Sequence, residues 1–216
     1  QWPDAFIVID VATRKSLELT RTLAGERKGS LLSAIDKTST AGGARLLHRR
    51  LSAPLTDRLA IEARLGLATW FTQNPIIAGE AGEILTKIPD MERGLSRLAT
   101  SRGGPRDLAG LAQGLYKARS LSLLLNRSGA AESHKAIQEL ARNAQEPAPL
   151  AEKITPALGD ELPLLARDGH FIRQGYDSQL DALRQMRDES RRLIAGLQAQ
   201  YAETTDIASL KIKHNN

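Results

Sequence analysis

The sequence contains no cysteine and few aromatic residues. The absence of cysteine excludes disulfides, thiolate metal ligands and a cysteine nucleophile, and it indicates a reducing, cytoplasmic compartment. Aromatic residues make up only 4% of the chain, whereas Leu, Ala, Arg and Glu are abundant. These side chains lose little rotamer freedom in a helix, so the composition favours a helical fold.

Long hydrophobic runs are also missing. No stretch approaches the roughly 20 apolar residues that cross a bilayer, so the sequence predicts no contact with a membrane. Hydrophobic residues nevertheless make up 41% and charged residues 25%, which is typical of a globular chain and excludes wholesale disorder.

Motifs for nucleotide, metal or acyl chemistry are absent from the sequence. None of the 17 glycines is followed by a second glycine two residues later, and no Gly-Lys dipeptide occurs, which excludes a dinucleotide fingerprint and a P-loop. There is no Gly-x-Ser-x-Gly elbow either. The four histidines show no metal-ligand spacing: His48, His134, His170 and His214. We therefore assign no catalytic, cofactor-binding or metal-binding residue.

The charge balance is mildly basic, at +5, with a sequence pI of about 9.7. A basic protein is attracted to polyanions, of which nucleic acid is the commonest in a cytosol. However, a helical domain with solvated charged faces can carry the same balance, and this remains the simpler interpretation of the charge alone.

Helical spacing with recognisable start and stop signals recurs along most of the chain. Asp57 and Asp90 are suited to cap helices, and Pro105 is suited to a first helical turn. Short strands are predicted at the N-terminal end, where residues 5–9 form an apolar run rich in β-branched side chains, and near residue 170. A third is predicted over 207–213, where apolar and polar residues alternate roughly. The sequence thus predicts an all-α fold with minor short strands.

The longest uninterrupted helical pattern covers residues 177–203 and carries an apolar seam. Its positions alternate three and four residues apart, with Arg187 and Ser190 as the polar members. Such a seam is typical of a helix that packs against a partner helix. Its apolar members are Leu180, Leu183, Ile194, Leu197 and Tyr201.

Two basic groups are candidates for nucleic-acid contact. For the first, Arg45, His48, Arg49 and Arg50, a solvated helix face is the simpler interpretation. The second group consists of two lysines on one side of the predicted C-terminal strand, followed by an asparagine. This arrangement is suited to binding phosphates, although lysines also protect the edge strand of a sheet from pairing with another chain. Its candidate DNA-backbone contacts are Lys211, Lys213 and Asn215.

An ordered set of motifs running through the chain resembles the core domain of the MutS family of bacterial mismatch-repair ATPases. IDVATRKSLEL at residues 9–19 resembles its opening, and DGHFI at 168–172 with SLKI at 209–212 resembles the approach to its DNA clamp. No single motif is specific for this family, but the ordered set of motifs is. Between these lie matching segments at 29–32, 36–38, 43–47, 51, 54–55, 90–93, 95–98, 105–108 and 175–176.

The resemblance implies a multi-helical core domain with one long lever helix. Residues 1–10 would be a strand and linker on the side of the connector, and residues 11–206 the helical core with the lever at about 177–203. Residues 207–216 would be the first strand of a truncated DNA clamp. In such a family the lever links the ATPase to the clamp, and the ATPase and most of the clamp would lie outside this chain.

The resemblance also implies partners and cofactors for the parent protein. These are double-stranded DNA with mismatches, a second copy in a homodimer, a MutL-type partner, and ATP with Mg. This segment alone would be neither an enzyme nor a cofactor-binding protein. An independent helical adaptor for protein interaction, with mild nucleic-acid affinity, would explain the composition but not the ordered motifs.

Overall fold

The computed structural model describes residues 6–129, 135–207 and 209–212. The chain divides into two compact units, residues 1–171 and residues 172–216. We call them the core unit and the helix unit. The described residues are predominantly helical, which confirms the all-α prediction.

Nine α-helices and one short 3-10 helix, over residues Ala166–Asp168, precede the long C-terminal helix within the described residues. The long helix is α10, Ser178–Thr205. The others are α1 (Val11–Ser16), α2 (Leu31–Ile35), α3 (Ala41–Ser52), α4 (Arg58–Gln73), α5 (Pro75–Leu85), α6 (Met91–Ala99), α7 (Pro105–Arg127), α8 (Lys135–Gln145) and α9 (Ala148–Ala157).

The predicted short strands are not found in the part of the chain that the structure describes. At the N-terminal end, Phe6 forms only an isolated antiparallel bridge with Leu55, and residues 7–10 are irregular. Near residue 170 the backbone passes through a 3-10 turn and two left-handed residues, Gly169 and His170. A strand is stable only beside a partner strand, and these segments form no more than isolated bridges among the described residues.

Side-chain caps fix the starts of several helices, as the sequence predicts. The Asp57 carboxylate accepts the Ala60 N–H at 2.7 Å, and the Thr40 hydroxyl accepts the Gly43 N–H at 2.9 Å. Each cap satisfies one of the backbone donors that a helix leaves unpaired at its start. Helix α1 ends at Ser16, two residues before Glu18, which adopts a left-handed conformation with φ 47°.

Helix α7 is the centre of the core unit, and α5, α6, α8 and α9 pack around it. Its first half contributes Leu111 and Leu115 to an apolar cluster with Ile154 of α9. Its second half contributes Leu125 to another cluster, with Ile137 of α8. The 23-residue helix therefore holds two separate parts of the core in one rigid element.

Two arginine–aspartate pairs fix how α3, α6 and α7 meet. Arg45 of α3 donates two hydrogen bonds, at 2.8 and 2.7 Å, to Asp90, the residue that caps α6. At the other end of α6, Arg97 binds both carboxylate oxygens of Asp107 in α7. Asp107 also accepts the Gly104 N–H at 3.1 Å, so each aspartate closes a helix start and receives an arginine from another helix.

Candidate functional site

The long helix α10 begins and ends with recognisable capping geometry. The Asp177 carboxylate accepts the Leu180 N–H at 2.9 Å, which confirms the predicted start of the helix. At the other end Asp206 is left-handed, with φ 53°, and the Ile207 N–H donates to the Ala202 carbonyl at 3.2 Å. The 28 residues between correspond to about 42 Å at 1.5 Å per residue.

None of the side chains of α10 is buried. Of the five predicted seam residues, Leu183, Ile194, Leu197 and Tyr201 are exposed, and Leu180 is half-buried. Even the least accessible of the four, Ile194, retains 37% of its surface. Apolar side chains of this size are normally buried, so an exposed row of them is a candidate packing surface.

The sequence reasoning missed two members of this face, Met186 and Leu193. They are 54% and 69% exposed and lie seven residues apart, beside the predicted seam. Seven residues are close to two helical turns, so the same spacing that defines the seam would have found them. With them the apolar surface widens to an arc of about 140° around the helix. We call these seven residues the apolar stripe: Leu180, Leu183, Met186, Leu193, Ile194, Leu197 and Tyr201.

A small polar network holds the loop before α10 against its first turns. Arg184 donates to the Asp181 carboxylate at 3.1 Å and to the Ile172 carbonyl at 3.0 Å. Asp181 in turn accepts the Gly175 N–H at 2.6 Å. Gly175 has φ 84°, a conformation that other residues rarely adopt. The start of the helix is therefore fixed to the chain that precedes it.

The segment after α10 is not the predicted strand over its described residues. It turns after Ile207, and the Ile212 N–H donates to the side-chain oxygen of Gln198, 14 residues earlier, at 3.1 Å. Lys211 is exposed on this segment, as a contact to a DNA backbone requires. The other two candidate contacts, Lys213 and Asn215, lie outside the described residues.

Neither a metal-ligand cluster nor a membrane-spanning helix is found among the described residues. Within residues 6–129, 135–207 and 209–212, no three His, Asp or Glu side chains are placed to hold a metal ion. No helix in the same ranges has both the length and the apolar character needed to cross a membrane.

Comparison with known proteins gives consistent matches along the chain. The family model of MutS domain III matches residues 12–210. A DNA mismatch repair protein MutS from Bartonella tribocorum is 51% identical over 212 residues, covering 98% of this chain and 23% of that protein. A DNA mismatch repair protein MutS from Nitrobacter winogradskyi is 49% identical over 211 residues, covering 97% and 24% respectively. The chain thus spans about a quarter of the length of these curated relatives.

Proposed function

Because the chain belongs to the MutS domain III family, we propose that it is the helical core and lever of a DNA mismatch-repair protein. In this proposal the chain does no chemistry and transmits movement between an ATPase and a DNA clamp outside it. The observation that carries the proposal is α10, about 42 Å long with an exposed apolar stripe along it. A helix of this kind acts as a lever once a second helix packs on the stripe.

The proposal assigns a role to each part of the chain. Residues 1–10 lead in from a connector, and residues 11–206 form the core with its lever at about 177–203. Residues 207–216 lead into the clamp. The tight arginine–aspartate pairs of the core support this division, because a lever needs a rigid base to turn against.

DNA contact is proposed for Lys211, Lys213 and Asn215, where the chain would enter the clamp. Each phosphate contact adds about 0.9 to the slope of log affinity against log salt. We expect weak binding that does not distinguish mismatched from matched duplex, and a slope smaller by about 2 when Lys211 and Lys213 are replaced by Ala. A clear preference for mismatched duplex would contradict this assignment.

For the whole protein we propose the properties that the family resemblance implies. These are ATP and Mg at an ATPase outside this chain, mismatched double-stranded DNA as ligand, a homodimer, and a MutL-type partner. The names of the relatives support the link to mismatch repair. The match over residues 12–210 also favours this proposal over an independent helical adaptor, for which no ordered family pattern is needed.

A chimera tests the lever directly. This chain replaces the matching segment of the Bartonella tribocorum protein, and ATP hydrolysis is measured with and without duplex DNA. Replacing Ile194 and Leu197 by Glu is expected to remove the stimulation by DNA and to leave basal hydrolysis unchanged, because a charged seam cannot pack as one unit with a second helix.

The control replaces Ala195 and Ala199, two exposed residues on the opposite face of α10, by Glu. It introduces the same charge and is expected to keep the stimulation. If the stimulation persists in the seam variant, α10 does not couple the two ends.

A further inference from the structure

A cleft of about 480 Å³ in the core unit has four arginines among the residues that line it. It lies beside α3, which contributes Arg45, His48 and Arg49, and beside the loop that precedes α2, which contributes Arg21 and Arg27. The sequence reasoning treated the basic residues of α3 as a solvated helix face. It could not see that the loop brings two more arginines to the same place.

Two of the four arginines in the cleft are neutralised by carboxylates. Arg45 is held by Asp90 and by Glu92, and Arg27 pairs with Asp36 at 2.7 Å. The charges of these two arginines are therefore already balanced by carboxylates and are less available to a ligand.

The other two arginines, Arg21 and Arg49, have no carboxylate partner among the described residues. The Arg21 guanidinium donates to the Gly25 carbonyl at 2.8 Å, which is a neutral acceptor. The Arg49 guanidinium is exposed and has neither a hydrogen bond nor an ion pair within the described part of the chain. The cleft thus presents two cations whose counterion is not supplied by described residues.

Two further arginines lie near Arg49 but do not line the cleft: Arg50, the next residue of α3, and Arg64 on α4, whose charge acts on Arg50. Partial burial lowers the pKa of Arg50, and the nearby positive charges of Arg64 and Arg49 lower it further. Neither guanidinium pairs with a carboxylate among the residues that the structure describes. The negative end of the α3 dipole accounts for cations in the last turn of α3, but not for Arg64 or Arg21, which lie on other elements.

We propose that Arg21, Arg49, Arg50 and Arg64 form a second contact for the phosphates of a nucleic-acid backbone. We call these four residues the arginine patch. The planar fork of each guanidinium suits a phosphate, which it can bind through two hydrogen bonds. A phosphate backbone also supplies the negative charges that these cations lack. The choice of DNA as the ligand rests on the proposed function, whereas the gathering of unpaired cations does not.

The test is the salt dependence of binding to a short labelled DNA duplex, followed by fluorescence anisotropy with the full 216-residue chain. Replacing Arg49, Arg50 and Arg64 by Gln is expected to lower the log–log slope by about 2 to 3 units, because up to three phosphate contacts are lost. Circular dichroism checks that the variant is folded. Because the Arg49 side chain is exposed, the single substitution Arg49→Gln is expected to leave the fold intact and to lower the slope by about 1.

The matched control replaces Lys87, Arg142 and Lys153 by Gln. All three are exposed on the core unit, and the variant loses the same net charge. Its slope is expected to stay at the wild-type value. Equal losses in the two triple variants would mean that only net charge matters, and would overturn the proposal.

Two more measurements separate the possible sources of failure. In the first, a decaglutamate peptide competes with the duplex at an equal concentration of negative charge. If the peptide displaces the duplex, the arginine patch binds an acidic protein surface and the proposal of a DNA contact is wrong. Replacing Lys211 and Lys213 by Ala tests the proposed clamp contact separately. If that variant leaves the slope unchanged while the arginine variants lower it, the clamp contact fails and the arginine patch stands.

Discussion

At the residue scale, Asp90 has two roles that depend on its negative charge. It caps α6 by accepting the Arg93 N–H, and it binds Arg45 of α3 through both oxygens. The hydrogen bonds from Arg45 lower the pKa of Asp90 to about 2, although partial burial opposes this shift. The side chains are only 24% and 32% exposed, so solvent screens the pair less than it screens a surface ion pair.

Replacing Asp90 by Asn keeps a capping oxygen but removes the charge. We expect the free energy of unfolding at neutral pH to fall by about 1–3 kcal/mol, because hydrogen bonds to charged groups contribute about this much. The pKa in the folded protein lies below the ordinary value of 3.8, so the stabilisation is full above about pH 4. It is then lost as the pH falls towards 2, and urea unfolding across this range should show the variant and wild type converging.

Asp57 provides the control for this experiment. It also caps a helix, α4, and its carboxylate accepts a backbone N–H in the same way. Asn is as good a cap as Asp, so Asp57→Asn is expected to change stability by only a few tenths of a kcal/mol. A loss at Asp57 as large as that at Asp90 would show that the cap, and not the Arg45 pair, provides the stability.

At the element scale, local signals in the sequence predicted the starts of α4, α6, α7 and α10 to within one residue. Asp90, Pro105 and Asp177 each act through their immediate neighbours, so their effects can be read from the sequence alone. The partnership of Arg45 with Asp90 joins residues 45 positions apart, and no local pattern indicates it. Nor does any local pattern indicate that Arg21 and Arg27 of the loop lie beside α3, because folding alone brings them together.

The failed strand predictions have the same physical origin. Alternating side chains at 207–213 fit a strand, but a strand also needs a partner for its backbone. Within the described residues, the Ile212 N–H finds the Gln198 side chain instead, and the segment turns back along α10. The apolar seam was recognised because helical spacing is local, whereas its width was underestimated because Met186 and Leu193 lie in a neighbouring row.

Gly104 and Gly110 test how closely α7 approaches its surroundings. A Cβ on Gly104 would fall well inside contact distance of the Leu164 carbonyl oxygen, which is backbone and cannot move aside easily. We expect Gly104→Ala to lower the free energy of unfolding by about 1–3 kcal/mol. A Cβ on Gly110 would lie 3.8 Å from Pro89, an ordinary contact.

Gly110→Ala serves as the matched control. Because alanine is the better helix former, it is expected to be neutral or to stabilise by up to about 1 kcal/mol. Thermal unfolding of both variants is the measurement. Equal effects of the two substitutions would mean that the approach of Leu164 to α7 is not tight.

At the scale of the whole molecule, the account depends on what covers the apolar stripe. Full burial of one such side chain is worth about 1.5–3 kcal/mol, so a stripe of six exposed side chains and the half-buried Leu180 favours association. The chain covers about a quarter of the length of its curated relatives, and in the proposed function a helix outside this chain packs on the stripe. When this chain is studied alone, we expect a second copy of it to pack on the apolar stripe.

Light scattering over a wide range of protein concentration tests this claim most directly. We predict that the wild type self-associates as concentration rises, and that replacing Ile194 and Leu197 by Glu abolishes association without loss of helicity, since Glu is a good helix former. The variant with Glu at positions 195 and 199 should associate like the wild type. If the wild type and the seam variant behave identically, as monomers or as the same oligomer, the apolar stripe is not the packing surface of the helix and the lever account is contradicted.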